Sequence, residues 1–170
     1  MRAIDVANAF IARHGDEVVL SNLSLNKLVY FAQVESLRAT GEPLFSDRVE
    51  AWEYGPVEPS VYHAFKSRGS GRVTVPLGPV PSDPGLVGIV DRTFSKYGML
   101  TAYDLVSLTH REGGAWRRAF VPGRDAEITP DGILASSDGM EAPEYSGTLA
   151  SGIKQVSDRW PNAFELLRDA

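Results

Sequence analysis

The chain has 170 residues, 43% of them hydrophobic, enough for one sizeable core, and a single domain is the expectation at this length. A net charge of -5 and a pI near 5.2 give no global attraction to phosphate backbones, which disfavours nucleic acid as a partner. With no cysteine, disulfides, thiolate metal sites and a cysteine nucleophile are excluded; with no stretch near the ~20 apolar residues of a membrane span, a cytoplasmic protein without a membrane partner is expected.

Ile4, Ala7, Phe10 and Ile11 recur at helical spacing and Gly15 closes the segment, which predicts an amphipathic helix over residues 4–14. Ser21 or Asn22 then caps a stronger helix that runs to Thr40-Gly41. Leu25, Leu28, Val29, Ala32 and Leu37 lie near one stripe of it, and Tyr30 and Phe31 widen that stripe. A helix this apolar belongs at the centre of a bundle, with Lys27, Gln33 and Glu35 near its polar boundary. Lys27 is expected to snorkel beside the core rather than to act as a buried catalytic amine.

Val49-Glu50-Ala51-Trp52-Glu53-Tyr54 is rich in strand formers, and Gly55-Pro56 is expected to stop regular structure because proline lacks a donor. Val49, Ala51 and Glu53 share one face of this strand; Glu50, Trp52 and Tyr54 share the other. Trp52 is read first as a core residue and second as part of a polar-aromatic recognition surface. Pro59 opens a short helix carrying Val61, Tyr62 and Phe65, stopped at residues 67–71. Val73-Thr74-Val75 has strand composition and is expected to pair antiparallel with residues 49–54, before Pro76, Gly78, Pro79, Pro81 and Pro84 enforce an extended loop.

Asp83-Pro84 reads as a cap and first turn for a helix with Leu86, Val90, Phe94 and Tyr97 on one face, ended by Gly98. Thr101 and Asp104 form a capping box for a helix with Leu105 and Leu108 that ends near His110. Residues 115–120 supply a further turn or two, and Thr129-Pro130 starts a short helix with Ile133 and Leu134. The first 134 residues thus form the domain. Residues 135–147 are poor in large apolar groups and read as a linker. Leu149, Ile153, Val156 and Trp160, then Phe164 and Leu167 beyond Pro161, predict a helical extension over residues 148–170, divided at the proline. The fold expected is α+β and mainly helical: a bundle of five or more helices with a small two- or three-stranded antiparallel sheet.

Catalytic motifs are absent. His14, His63 and His110 have no second ligand at metal-binding spacing, no nucleotide or dinucleotide loop occurs, and Glu50 and Glu53 point to opposite strand faces. No metal, cofactor or catalytic set is therefore expected. His110 is read as a helix C-cap or as a hydrogen-bonding post beside Trp116. Two rival classes are compatible with the residues: an acid-base enzyme using Glu50 and His110, and a DNA-binding protein gathering Lys96, Arg111, Arg117 and Arg118 on one face.

The run from Asn22 through Lys27, Tyr30 and Phe31 to Gln33, then Pro43-Leu44-Phe45, then Val49 through Trp52 and Gly55-Pro56-Val57 with Val61-Tyr62, resembles the signature of the Panacea domain, the SocA-like antitoxin family. Tyr97-Gly98, Leu108-Thr109-His110, Trp116 and Ile128-Thr129-Pro130 continue the resemblance in order. It departs from the family at Asn26, where Gln is commoner, and at Gly113-Gly114, where an acidic residue or Pro is common. The resemblance implies a non-enzymatic antitoxin of a two-gene system that neutralises a cognate protein toxin by direct contact. Family members pair with toxins of unrelated kinds, including alarmone-synthetase-like tRNA-modifying enzymes, and delivery of the toxin to a protease is the alternative role. Self-association is compatible with either. Glu50, Trp52, Tyr54, Pro56, Tyr62, His110 and Trp116 are the expected partner-binding residues.

Overall fold

The computed structural model describes residues 1–159. It contains α1 (Ala3–His14), α2 (Asn22–Thr40), β1 (Val49–Trp52), β2 (Gly55–Val57), α3 (Pro59–Phe65), α4 (Pro84–Tyr97), α5 (Ala102–Thr109), α6 (Ala115–Ala119), β3 (Ala126–Ile128), α7 (Pro130–Leu134) and α8 (Leu149–Arg159). A single 3-10 turn, Lys66–Arg68, follows α3. The fold is α+β and mainly helical, as the periodicity predicts. Among the described residues no helix is long and apolar enough to cross a membrane.

Helix α2 is the axis. Ser21 accepts a hydrogen bond from the Ser24 amide at its start, and Gly41, at φ 78°, ends it in the left-handed conformation that glycine adopts without strain. Every residue from Ser24 to Leu37 is buried, because α1, α3, α4, α5 and α7 all pack around it. The hydrophobic face is therefore not bounded by a polar one, and the expectation for its polar residues is corrected. Lys27, Gln33 and Glu35 lie inside, each with a partner. Glu35 takes the Lys96 ammonium of α4 at 2.7 Å. Gln33 acts as a clamp: its Oε1 accepts from the Leu44 and Phe45 amides, and its Nε2 donates to the Phe45 carbonyl. Burying polar groups is tolerated because each one is bonded.

The sheet is antiparallel in the order β2-β1-β3. Two expectations are corrected here. Val73 does not enter the sheet; its amide bonds to the Leu20 carbonyl, and β1 takes its second partner from β3, with Val49 opposite Ile128 and Ala51 opposite Ala126. Gly55-Pro56 does not end regular structure but forms edge strand β2, with Ala51 opposite Pro56. A proline is harmless at that position. It sits in a non-hydrogen-bonded pair at the edge, where its missing N–H would have faced away from β1.

The stretch read as a linker is anchored at its start. The Asp138 carboxylate accepts from the Tyr30 hydroxyl at 2.5 Å and from the Ala115 amide at 3.0 Å, and is 8% exposed. Arg38 donates to the carbonyls of Ile133, Leu134, Ser136 and Asp138. Further on, α8 begins on the domain itself. Asp104, the capping-box residue of α5, also accepts from the amides of Leu149 and Ala150, so one carboxylate caps two helices. Leu149, Ile153 and Val156 of α8 remain exposed. Trp160, Pro161, Phe164 and Leu167 lie outside the described residues.

Candidate functional site

Strands β1 and β2 make a hairpin whose turn is Glu53-Tyr54. Side chains of two helices donate to its carbonyls, and a histidine packs beside them. The Trp116 indole of α6 donates to the Trp52 carbonyl at 2.7 Å, the His110 Nε2 at the end of α5 lies 3.3 Å from the Glu53 carbonyl, and Lys27 Nζ of α2 donates to the Pro56 carbonyl at 2.9 Å. The Pro56 carbonyl needs this partner. Since Ala51 and Pro56 form a non-hydrogen-bonded pair, that oxygen points away from β1 and has no bond from the ladder.

Lys27 reaches it from wholly inside the protein. Burial pushes its amine down to about 7, since removing an ammonium from water penalises the charged form. The close fit has a steric cause as well. Gly55 has φ 102°, and a Cβ there would come within 2.6 Å of Thr109 Oγ1 and 2.9 Å of Lys27 Cε. The hairpin backbone thus rests directly on α2 and α5.

Two grooves flank the hairpin. One, of about 740 Å³, is lined by Ala51, Trp52, Glu53, His110, Trp116 and Phe120, with the 122–125 turn at its rim. His110 and Phe120 both pack on the Trp116 ring, with centroids 3.7 Å and 4.7 Å away. The other, of about 500 Å³, runs between the hairpin and the start of α2, and its walls include Asn22, Asn26, Trp52, Tyr54, Tyr62 and Lys66. Trp52 lies between them, edge-on to Tyr62 at 4.9 Å, with its indole N–H on Glu50 at 2.8 Å. Asn26 ties the second wall together, bonding Asn22 and the Glu58 amide; Glu58 in turn caps α3 through the amides of Ser60 and Val61.

All seven residues singled out from the sequence meet at this corner, in two different roles. Tyr54 is 64% exposed, and Glu50, Trp52, Tyr62 and His110 are half-buried, so these present the surface. Pro56 and Trp116 are buried and support it from behind. Sequence reasoning did not place Lys27, Thr109 or Asn26 here. The only signal was a lysine and an asparagine in the middle of an apolar helix, which does not reveal what they bond.

The rivals fare unequally. Glu50 does not line the groove that holds His110, and both are occupied: Glu50 by the Trp52 indole, and His110 Nδ1 by the Val106 carbonyl at 2.7 Å. Of the four cations weighed for DNA binding, two have partners within the fold. Lys96 bonds Glu35, and Arg118 bonds the Ala135 carbonyl.

Residues 25–82, which include the hairpin, Lys27 and Tyr62, match the family described as Antitoxin SocA-like, Panacea domain. Antitoxin SocA of Caulobacter vibrioides (strain NA1000 / CB15N) is 32% identical to this chain over 113 residues, which cover 59% of this chain. The chain spans 60% of the length of that relative. Solved structures give no significant match.

Proposed function

From a chain that carries a Panacea domain of the SocA-like antitoxin family, we propose that this protein is an antitoxin that neutralises a cognate protein toxin by binding it directly, through the β1–β2 hairpin and its flanking grooves. The observation that carries this reading is the hairpin itself: an exposed tip, Glu53-Tyr54, on a backbone held by side chains of α2 and α6. A surface fixed before contact loses little conformational entropy on binding, and tryptophan and tyrosine are enriched among interface hot spots. Neutralisation acts by occupancy, so it is stoichiometric and has no turnover. An alarmone-synthetase-like tRNA-modifying enzyme is one kind of toxin that fits this reading.

The test is to express the product of the adjacent reading frame alone and with this protein. Growth arrest by the first, relieved by the second, and a purified complex lost on Tyr54→Ala are the expected results. A neighbour that is harmless alone would defeat the antitoxin reading. Rescue by substoichiometric antitoxin that leaves the toxin permanently inactive would restore an enzymatic one.

A further inference from the structure

We propose that Lys27 is a positioning residue for partner capture: its buried amine, by holding the Pro56 carbonyl, fixes the hairpin tip Glu53-Tyr54 between the two grooves. This inference rests on the reading of the hairpin as the contact surface. Lys27 touches no partner, being wholly buried, and acts only through the backbone it bonds.

Four observations converge on it. The Pro56 carbonyl points away from β1 and has Lys27 Nζ as its donor. Proline at this edge has no N–H, so the carbonyl is the single polar backbone group through which residue 56 can be anchored. Lys27 Cε and Thr109 Oγ1 stand where a Cβ of residue 55 would go, so the strand is pressed onto the lysine stem as well as bonded to its head. And Lys27 is a long flexible chain in the core of a helix otherwise lined with Leu25, Leu28, Val29 and Phe31, where an aliphatic residue would fill the space without an amine. A lysine kept only for its volume would need no carbonyl at 2.9 Å from its nitrogen.

Hydrogen exchange on the full chain separates positioning from mere packing. The ladder pairs Glu50 with Val57 and Trp52 with Gly55, so the amides of Gly55 and Val57 report the hairpin, and those of Val90 and Phe94 report the α4 core. In Lys27→Met, exchange at Gly55 and Val57 is expected to speed up at least about tenfold while Val90 and Phe94 keep their protection, a local opening rather than global unfolding. Affinity for the purified adjacent-frame toxin is expected to fall about tenfold, in the dissociation rate. The chain has no cysteine, which allows a chemical rescue. Lys27→Cys, alkylated while unfolded with bromoethylamine, regains an amine of lysine's reach and should recover both readouts. The same variant alkylated with bromoethane regains bulk without the donor and should recover neither. Unchanged exchange at Gly55 and Val57, equal recovery by both alkyl groups, or undiminished affinity in Lys27→Met overturns the proposal. Tyr54→Ala tells that failure from failure of the underlying reading. If it weakens the complex while Lys27→Met does not, the hairpin binds and only Lys27's role is wrong; if neither weakens it, the contact surface lies elsewhere.

Discussion

Replacing Lys27 by methionine should make the protein more stable at neutral pH and erase a pH dependence of its stability. Burial lowers the amine from 10.5 in the unfolded chain to about 7 in the fold, which corresponds to about 5 kcal/mol against the charged form. Between those two values the unfolded state binds more protons than the folded state, so the sign is fixed: wild-type stability rises as pH rises from about 7 toward about 10.5. The penalty is nearly whole below about pH 7 and has fallen to about 2 kcal/mol by about pH 9. Methionine removes it but leaves the Pro56 carbonyl without a donor, at about 1–3 kcal/mol. The variant should therefore exceed wild type by about 2 kcal/mol near pH 7 and lose that advantage near about pH 9. Urea unfolding followed by tryptophan fluorescence, with both proteins taken from about pH 6 to about pH 9.5 in matched buffers, reads the difference directly. Parallel curves would show that the lysine is not held neutral in the fold, and a wild type that weakens with rising pH would reverse the argument.

Four further outcomes follow from the geometry. Gly55→Ala should cost about 2–4 kcal/mol, a left-handed backbone plus a Cβ against Thr109 and Lys27, whereas Gly41→Ala, equally left-handed but with open space around it, should cost about 1 kcal/mol; equal losses in thermal melts would show that the close approach carries no weight. Trp116→Phe keeps a buried ring but removes the indole donor from the Trp52 carbonyl, and should cost about 1–2 kcal/mol in denaturant melts; an unchanged midpoint would mean the tether is dispensable. Burial pushes the Asp104 carboxyl up, but hydrogen bonds from Thr101, Leu149 and Ala150 outweigh it and hold the group below the usual 3.8. That depressed value makes its capping fully present above about pH 4 and lost as pH falls through the folded value, so α8 amides should lose exchange protection in acid before those of α4. Asp104→Ala should release α8 at neutral pH, at about 1–2 kcal/mol; an α8 that stays protected in that variant would show that its cap is elsewhere.

The helices were legible because their ends are written in short-range chemistry: Ser21, Asp83, Thr101 and Thr129 cap as their types predict. The sheet partner was not. Ala126-Glu127-Ile128 is too short to alternate visibly, while Val73-Thr74-Val75 looks more like a strand and is held by one bond to Leu20; pairing was decided by the 122–125 turn, which returns the chain beside β1. Gly55-Pro56 was misread because the rule against proline in strands holds for ladder positions, and this one faces the edge. The corner itself was visible as a cluster of aromatics and carboxylates. Its support was not, since no local pattern tells that Lys27 meets a carbonyl 29 residues away.

The Gln33 clamp has a consequence for which lengths of chain this fold accepts. By imitating a strand's backbone it fixes residues 44 and 45 against α2, and only 46–48, where Asp47 in turn accepts from the Ala3 amide, separate them from β1 at Val49. Side chains alternate along a strand, so one inserted residue there would turn Trp52 and Glu50 inward and Ala51 outward, into spaces of the wrong size. Two inserted residues would restore the faces but move the turn away from His110 and Trp116. The loop from Pro76 to Ser82 is tied more lightly, by Asn8 to the backbone of Leu77, before Asp83 caps α4. Relatives of this protein should therefore vary in length at 78–82 and keep the spacing from Gln33 to Trp52 unchanged.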